Sequence, residues 1–119
     1  MLNLDTHMFL FALAGTLRRS EAALLQRDSW SMSAICLWEI AKLRELGRIQ
    51  VDIDGPEFER AVARVHLWPI TLEVCRTTLT LDFESDPADE IIAATSIVHR
   101  VPLLTRDAKL RRSKLVPVA

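Results

Sequence analysis

Short apolar runs alternate along this chain with longer stretches of helical period, and turn or capping residues separate them. The first run, "MLNL", reads as a strand that ends at Asp5. Thr6 then opens "HMFLFALAG", whose apolar positions keep helical period until Gly15 closes them. Residues 18–27, "RRSEAALLQR", predict a second helix with a polar outer face, and "SWSMS" predicts a short alternating strand. Ser33 suits the N-cap of "AICLWEIAKLREL", a helix that Gly47 stops.

Beyond "RIQVDI", Pro56 suits the first turn of a helix in "DGPEFERAVARVHL", with Asp54 or Gly55 as its cap. "WPITLEVCRTTLTL" predicts a short extended piece and a further helix. Asp86 as cap and Pro87 at the first position open "ADEIIAATSIVHR", "VPLLT" follows as an apolar strand, and a short basic helix and "LVPVA" finish the chain. Strands alternating with amphipathic helices predict an α/β fold, a three-layer α/β/α sandwich with a parallel central sheet. The 119 residues are expected to form a single domain, since that length supports one core and not two.

Composition narrows the classes. Half the residues are hydrophobic and 26% are charged, as in a compact folded protein and unlike a disordered tail. The longest apolar run, Met8 to Ala14, falls well short of the roughly 20 residues that cross a bilayer, and no basic segment precedes it, so a cytoplasmic protein with no membrane role is expected. Cys36 and Cys75 lie far apart in apolar helical patterns and are expected as reduced core thiols. Trp30, Trp38 and Trp68 are likewise expected in the core. A net charge of −1 argues against a basic coat for duplex binding, but the charge is uneven. "DFESDPADE" (82–90) carries five acids and no base, whereas "RDAKLRRSK" (106–114) carries five bases and one acid. Phosphate-loop, dinucleotide and nucleophile-elbow motifs are all missing.

Ligand crevices of open parallel sheets lie at the carboxyl ends of the strands, which singles out Asp5 and Asp107. Asp89 sits in the first turn of its helix, and Glu39 interrupts the most apolar helix of the chain. Each acid has a structural explanation of its own. Asp5 and Asp107 could cap helices, Glu39 could share a solvated stripe with Lys42 and Glu45, and the helix dipole favours Asp89. In combination they suggest a site. Two carboxylates about 4 Å apart at an effective dielectric near 20 repel by roughly 4 kcal/mol, so four in one crevice need protons or a cation. Hard oxygen donors without His or Cys favour Mg²⁺ or Mn²⁺ over zinc. The chemistry suggested is metal-assisted phosphodiester hydrolysis. The basic flank, Arg106, Lys109, Arg111, Arg112 and Lys114, could contact neighbouring phosphates or simply be a solvated terminal helix. His7, His66 and His99 have the marks of surface or helix-end residues.

Four segments in order, "LDTH" (4–7), "SAICLWEIAKLRELGRI" (33–49), "DPADEIIAAT" (86–95) and "VPLLTRDAKL" (101–110), resemble the PIN-domain ribonucleases, specifically the VapC-like toxins of type II toxin–antitoxin systems. The resemblance implies a Mg²⁺-dependent endoribonuclease (Mn²⁺ as an alternative ion) that cleaves RNA, is blocked by a cognate antitoxin protein and forms a homodimer. Carried over by position, it makes Asp5 and Asp89 the metal ligands, Glu39 and Asp107 the acids that complete the catalytic pocket, and Thr6 and Thr105 supporting hydroxyls. Many relatives carry Arg after the Asp that matches Asp89, where this chain has Glu90. Two other readings stay open. A signalling receiver domain also gathers acids around Mg²⁺, but it needs an acidic pair after the first strand and a Lys after the last, where Asp5 stands alone and Arg106 follows Thr105. The other is a catalytically silent PIN-like domain that binds a partner protein, which Glu90 would favour.

Overall fold

The computed structural model describes residues 1–119. Four parallel strands, β1 (Leu2–Leu4), β2 (Trp30–Ser33), β3 (His66–Trp68) and β4 (Leu103–Leu104), form one sheet in the order β3-β2-β1-β4. Helices α1 (Thr6–Ala14) and α2 (Arg19–Arg27) join β1 to β2, and α3 (Ile35–Glu45) and α4 (Pro56–Ala63) join β2 to β3. Helices α5 (Leu72–Thr78) and α6 (Pro87–His99) carry the chain back across the sheet to β4, and α7 (Ala108–Arg112) follows. Parallel crossovers are right-handed almost without exception, so this reversal puts α5 and α6 on the face opposite α1 to α4. The result is a three-layer α/β/α sandwich.

Alternate residues of β1 serve both layers: Leu2 and Leu4 are buried core, and Asn3 turns to α6, where its amide donates to the Ser96 hydroxyl at 2.9 Å and the Ile92 carbonyl at 3.3 Å. Phe9, Met8, Met32, Ile40, Ile92, Leu103 and Leu110 are fully buried between the layers. Each such side chain is worth about 1.5–3 kcal/mol relative to exposure, and together they hold the helices to the sheet.

Local chemistry sets the boundaries. Gly15 ends α1 with a left-handed φ of 71°, a conformation that costs glycine nothing. Pro87 occupies the first turn of α6 and Asp86 the cap position, although the Asp86 side chain makes no capping hydrogen bond. Ser33 accepts from the Ile35 N–H at 3.2 Å and so helps start α3.

Several expectations change. The helix expected from Pro56 onward ends at Ala63, and its last residues become β3, an edge strand whose short, half-buried pattern gives little sequence signal. His66 therefore lies on a strand and not at a helix end. "LVPVA" adds a further parallel bridge, Val118 to Leu103. Cys36 is a buried thiol, whereas Cys75 is exposed on α5 and is not in the core. Trp30 and Trp68 are half-buried and Trp38 is 57% exposed, because Trp38 lies on the side of α3 that turns away from the sheet. No helix is long and apolar enough to cross a membrane.

Candidate active site

The chain leaves β1 for β2 on one side, and β4 later returns to the other side of β1. The gap between the carboxyl ends of β1 and β4 is therefore the topological switch point, where such sheets open a crevice. Asp5 follows β1 there and Thr105 follows β4. Asp5 has extended backbone and caps α1, with Oδ1 accepting the Met8 N–H at 2.8 Å. Its Oδ2 accepts a short hydrogen bond from the Thr105 hydroxyl, which itself accepts the Asp107 N–H at 3.0 Å. Capping and presentation to the crevice are thus one arrangement. Burial raises the pKa of Asp5 above the usual carboxylate value, opposed by the Thr105 and Met8 hydrogen bonds and by His7, and assisted by the charge of Glu39.

Asp89 is one turn into α6 and half-buried. Its Oδ2 accepts the Ser85 hydroxyl at 3.0 Å. Burial also raises its pKa, the Ser85 hydrogen bond opposes that, and the charges of Glu39, Asp107 and Asp86 add to the rise. Glu39 thus bears electrostatically on both Asp5 and Asp89. The solvated stripe on α3 exists, but it is made by Lys42 and Glu45, paired at 3.0 Å, without Glu39. Asp107 is exposed and caps α7, accepting from Lys109 N at 2.8 Å and Leu110 N at 3.1 Å. Thr6 is buried beside Asp5, and its hydroxyl has no hydrogen-bond partner.

No Lys, Arg or His side chain forms an ion pair with these acids. The ion pairs of the protein engage Asp28, Glu45 and Glu21, and none reaches Asp5, Glu39, Asp89 or Asp107. The donor chemistry fits a hard divalent ion. The spacing is open, however: no three acidic, His or Cys side chains gather closely enough to hold one ion together. The expected convergence of all four acids on one ion is therefore not seen.

The basic flank is largely committed to the protein itself. Arg106 pairs with Glu21 across 85 residues of sequence, with contacts of 2.7 and 2.8 Å, and lies 4.1 Å from the centre of the Phe11 ring. Arg111 donates to the Thr105 carbonyl at 3.2 Å, and Lys109 to the Glu84 carbonyl at 3.1 Å. Glu90 also finds a place: it is half-buried and accepts the Ser85 N–H at 3.1 Å. Sequence reasoning missed Ser85 as a partner of Asp89, and its position just before the Asp86 cap was the available signal. A cavity of about 760 Å³ lies between α1 and the segment of residues 49–58 that leads into α4, and it is lined by none of the four acids.

A parallel α/β sandwich with a buried carboxylate, Asp5, at its switch point defines the class of fold. Residues 3–114 match the PIN domain. Ribonuclease VapC22 of Mycobacterium tuberculosis is 36% identical over 114 residues, an alignment that covers 91% of this chain and 88% of that protein. The chain belongs to the PIN-domain family. Among solved structures, VapBC2 of Rickettsia felis bound to a promoter DNA fragment superposes with a TM-score of 0.77 at 14% identity, covering 100% of this chain and 98% of that one. A toxin–antitoxin complex from Klebsiella pneumoniae gives 0.72 at 19% identity, with coverages of 94% and 91%. FitAcB of Neisseria gonorrhoeae gives 0.69 at 21%, with coverages of 99% and 96%. At those identities the likeness is one of fold.

Proposed function

We propose that this protein is a VapC-like toxin, a Mg²⁺-dependent endoribonuclease that hydrolyses RNA phosphodiester bonds through Asp5, Glu39, Asp89 and Asp107. The observation that carries the reading is Asp5: buried at the switch point, held at both oxygens, facing the charge of Glu39 and lacking a cationic partner. The relative named as a ribonuclease supports the reaction class, and the neighbours solved as toxin–antitoxin complexes support an antitoxin partner. The homodimer, the cytoplasmic location and a single domain over residues 1–119 belong to the same reading.

Asp5 and Asp89 would hold the ion. When bound, it supplies Lewis acidity, a more acidic water and charge neutralisation at the phosphodiester. Thr105 and the Met8 N–H fix the Asp5 carboxylate so that it does not reorganise during reaction. Glu39 engages in no hydrogen bond of its own and is free to accept a proton from attacking water. Asp107, tied to the start of α7, keeps negative charge at the rim. The silent-scaffold reading rests on the charge of Glu90, which accepts the Ser85 N–H at 3.1 Å, and metal binding decides between the two readings.

Calorimetric titration of Mn²⁺ into the purified protein at pH 7 tests the metal site. Wild type binds, and Asp5→Asn and Asp89→Asn each weaken binding at least about ten-fold. A wild type that releases no heat of binding ends the metal reading.

A further inference from the structure

Asp89 and Glu90, adjacent in the first turn of α6, grip the same residue. Glu90 Oε2 accepts the Ser85 N–H at 3.1 Å, and Asp89 Oδ2 accepts the Ser85 hydroxyl at 3.0 Å. Ser85 is also the end of a strap tied to the last helix and its exit. Asp82 accepts from the Ser113 hydroxyl at 2.6 Å and from Lys114 N at 2.8 Å, and the Glu84 carbonyl accepts from Lys109 Nζ at 3.1 Å. Only one hydroxyl donates to Asp89, and its backbone is set by the strap on one side and Glu90 on the other. Asp89 Oδ1 accepts no hydrogen bond within the protein.

We propose that Glu90 is a positioning residue for the Asp89 carboxylate: by accepting the Ser85 N–H it holds the hydroxyl that orients Asp89. The role needs an acceptor at position 90 and not a charge. Glutamine keeps an acceptor oxygen, whereas alanine removes it. A helix-dipole role for Glu90 would instead need the charge and would be lost in both. The inference rests on the reading of Asp89 as a metal ligand, and the test separates the two.

Mn²⁺ binding is measured by calorimetry for Glu90→Ala, Glu90→Gln, Ser85→Ala and the Glu90→Ala/Ser85→Ala double variant, each checked for retained fold by circular dichroism. Glu90→Ala and Ser85→Ala should each bind about ten-fold more weakly, the lower end for loss of a group that orients a metal ligand. The double variant should bind no more weakly than Ser85→Ala alone, because both act through one hydroxyl. Glu90→Gln should stay within about two-fold of wild type. A Glu90→Gln variant as weak as Glu90→Ala, or a Glu90→Ala variant as tight as wild type, overturns the proposal. If wild type itself binds no Mn²⁺, the metal reading fails, and the positioning role is decided by hydrogen exchange at the Ser85 amide and a crystal structure of Glu90→Ala. Faster exchange together with loss of the Ser85–Asp89 contact upholds it, and any other combination overturns it.

Discussion

Arg106 shows how a contact remote in sequence holds the site together, and its removal gives a quantitative expectation. It follows Thr105 and precedes Asp107, so its pairing with Glu21 pins the loop that carries both to α2. The Glu21 side chain is 10% exposed and that of Arg106 27%. The Arg106 hydrogen bonds, partly opposed by burial and aided by the Arg18 N–H, hold Glu21 at a pKa of about 2 against an ordinary 4.5. At about 1.4 kcal/mol per pH unit, that depression is worth about 3 kcal/mol at full strength, and solvent access on the arginine side reduces it to ~2 kcal/mol. Because the folded pKa lies below the unfolded one, the contribution is complete above pH 4.5 and disappears as pH falls through about 2. Arg106→Met keeps the apolar stem and removes the charge. Urea unfolding of both proteins should show a gap of about 2 kcal/mol at pH 7 that shrinks steadily between pH 4.5 and 2.5. A gap that is the same at both ends would refute the ion-pair account and assign the stability to packing of Arg106 on Phe11.

Two further outcomes follow from the buried groups. Asp5 and Asp89 have pKa values raised by burial, so in the metal-free protein their ionisation costs stability, and that cost grows as pH rises through their folded values. Asp5→Asn and Asp89→Asn should therefore melt at or above wild type at pH 7 without metal, and saturating Mg²⁺ should raise the melting temperature of wild type alone; an Asp5→Asn protein that melts well below wild type would contradict this. Burial pushes the Cys36 thiol up to about 12 while Cys75 is exposed, so a thiol reagent at pH 8 should titrate one cysteine in the native protein and two in denaturant.

Much of this architecture can be read from local signals. Gly15, Gly47, Pro56 and Pro87 mark helix boundaries that the structure keeps, because each acts through backbone conformation alone. The parallel sheet follows from strands alternating with helices. The edge strand β3 was only partly legible: an extended piece is expected from Trp68, but His66 and Leu67 form neither an alternating pattern nor an apolar run, and pairing with Ser31–Ser33 reveals them. Exposure of Trp38 and Cys75 was hidden for a related reason, since periodicity shows that a helix has two faces without showing how much of each the sheet covers. Asp5 was visible as the residue after the first strand, but its bond to Thr105 spans 100 residues and belongs to the tertiary fold. The Arg106–Glu21 pair is of the same kind. In sequence Arg106 belonged to a basic block open to phosphate, and in the structure it braces the loop beside the acids.

The central claim is that carboxylates at the switch point make this chain a metal-dependent ribonuclease. Its most direct test is cleavage of a labelled RNA by purified protein in EDTA, after restoration of excess Mg²⁺, and with Asp5→Asn in the same buffer. Cleavage that vanishes in EDTA, returns with Mg²⁺ and falls at least about 100-fold in Asp5→Asn is the predicted result. Equal cleavage by wild type and Asp5→Asn would contradict it.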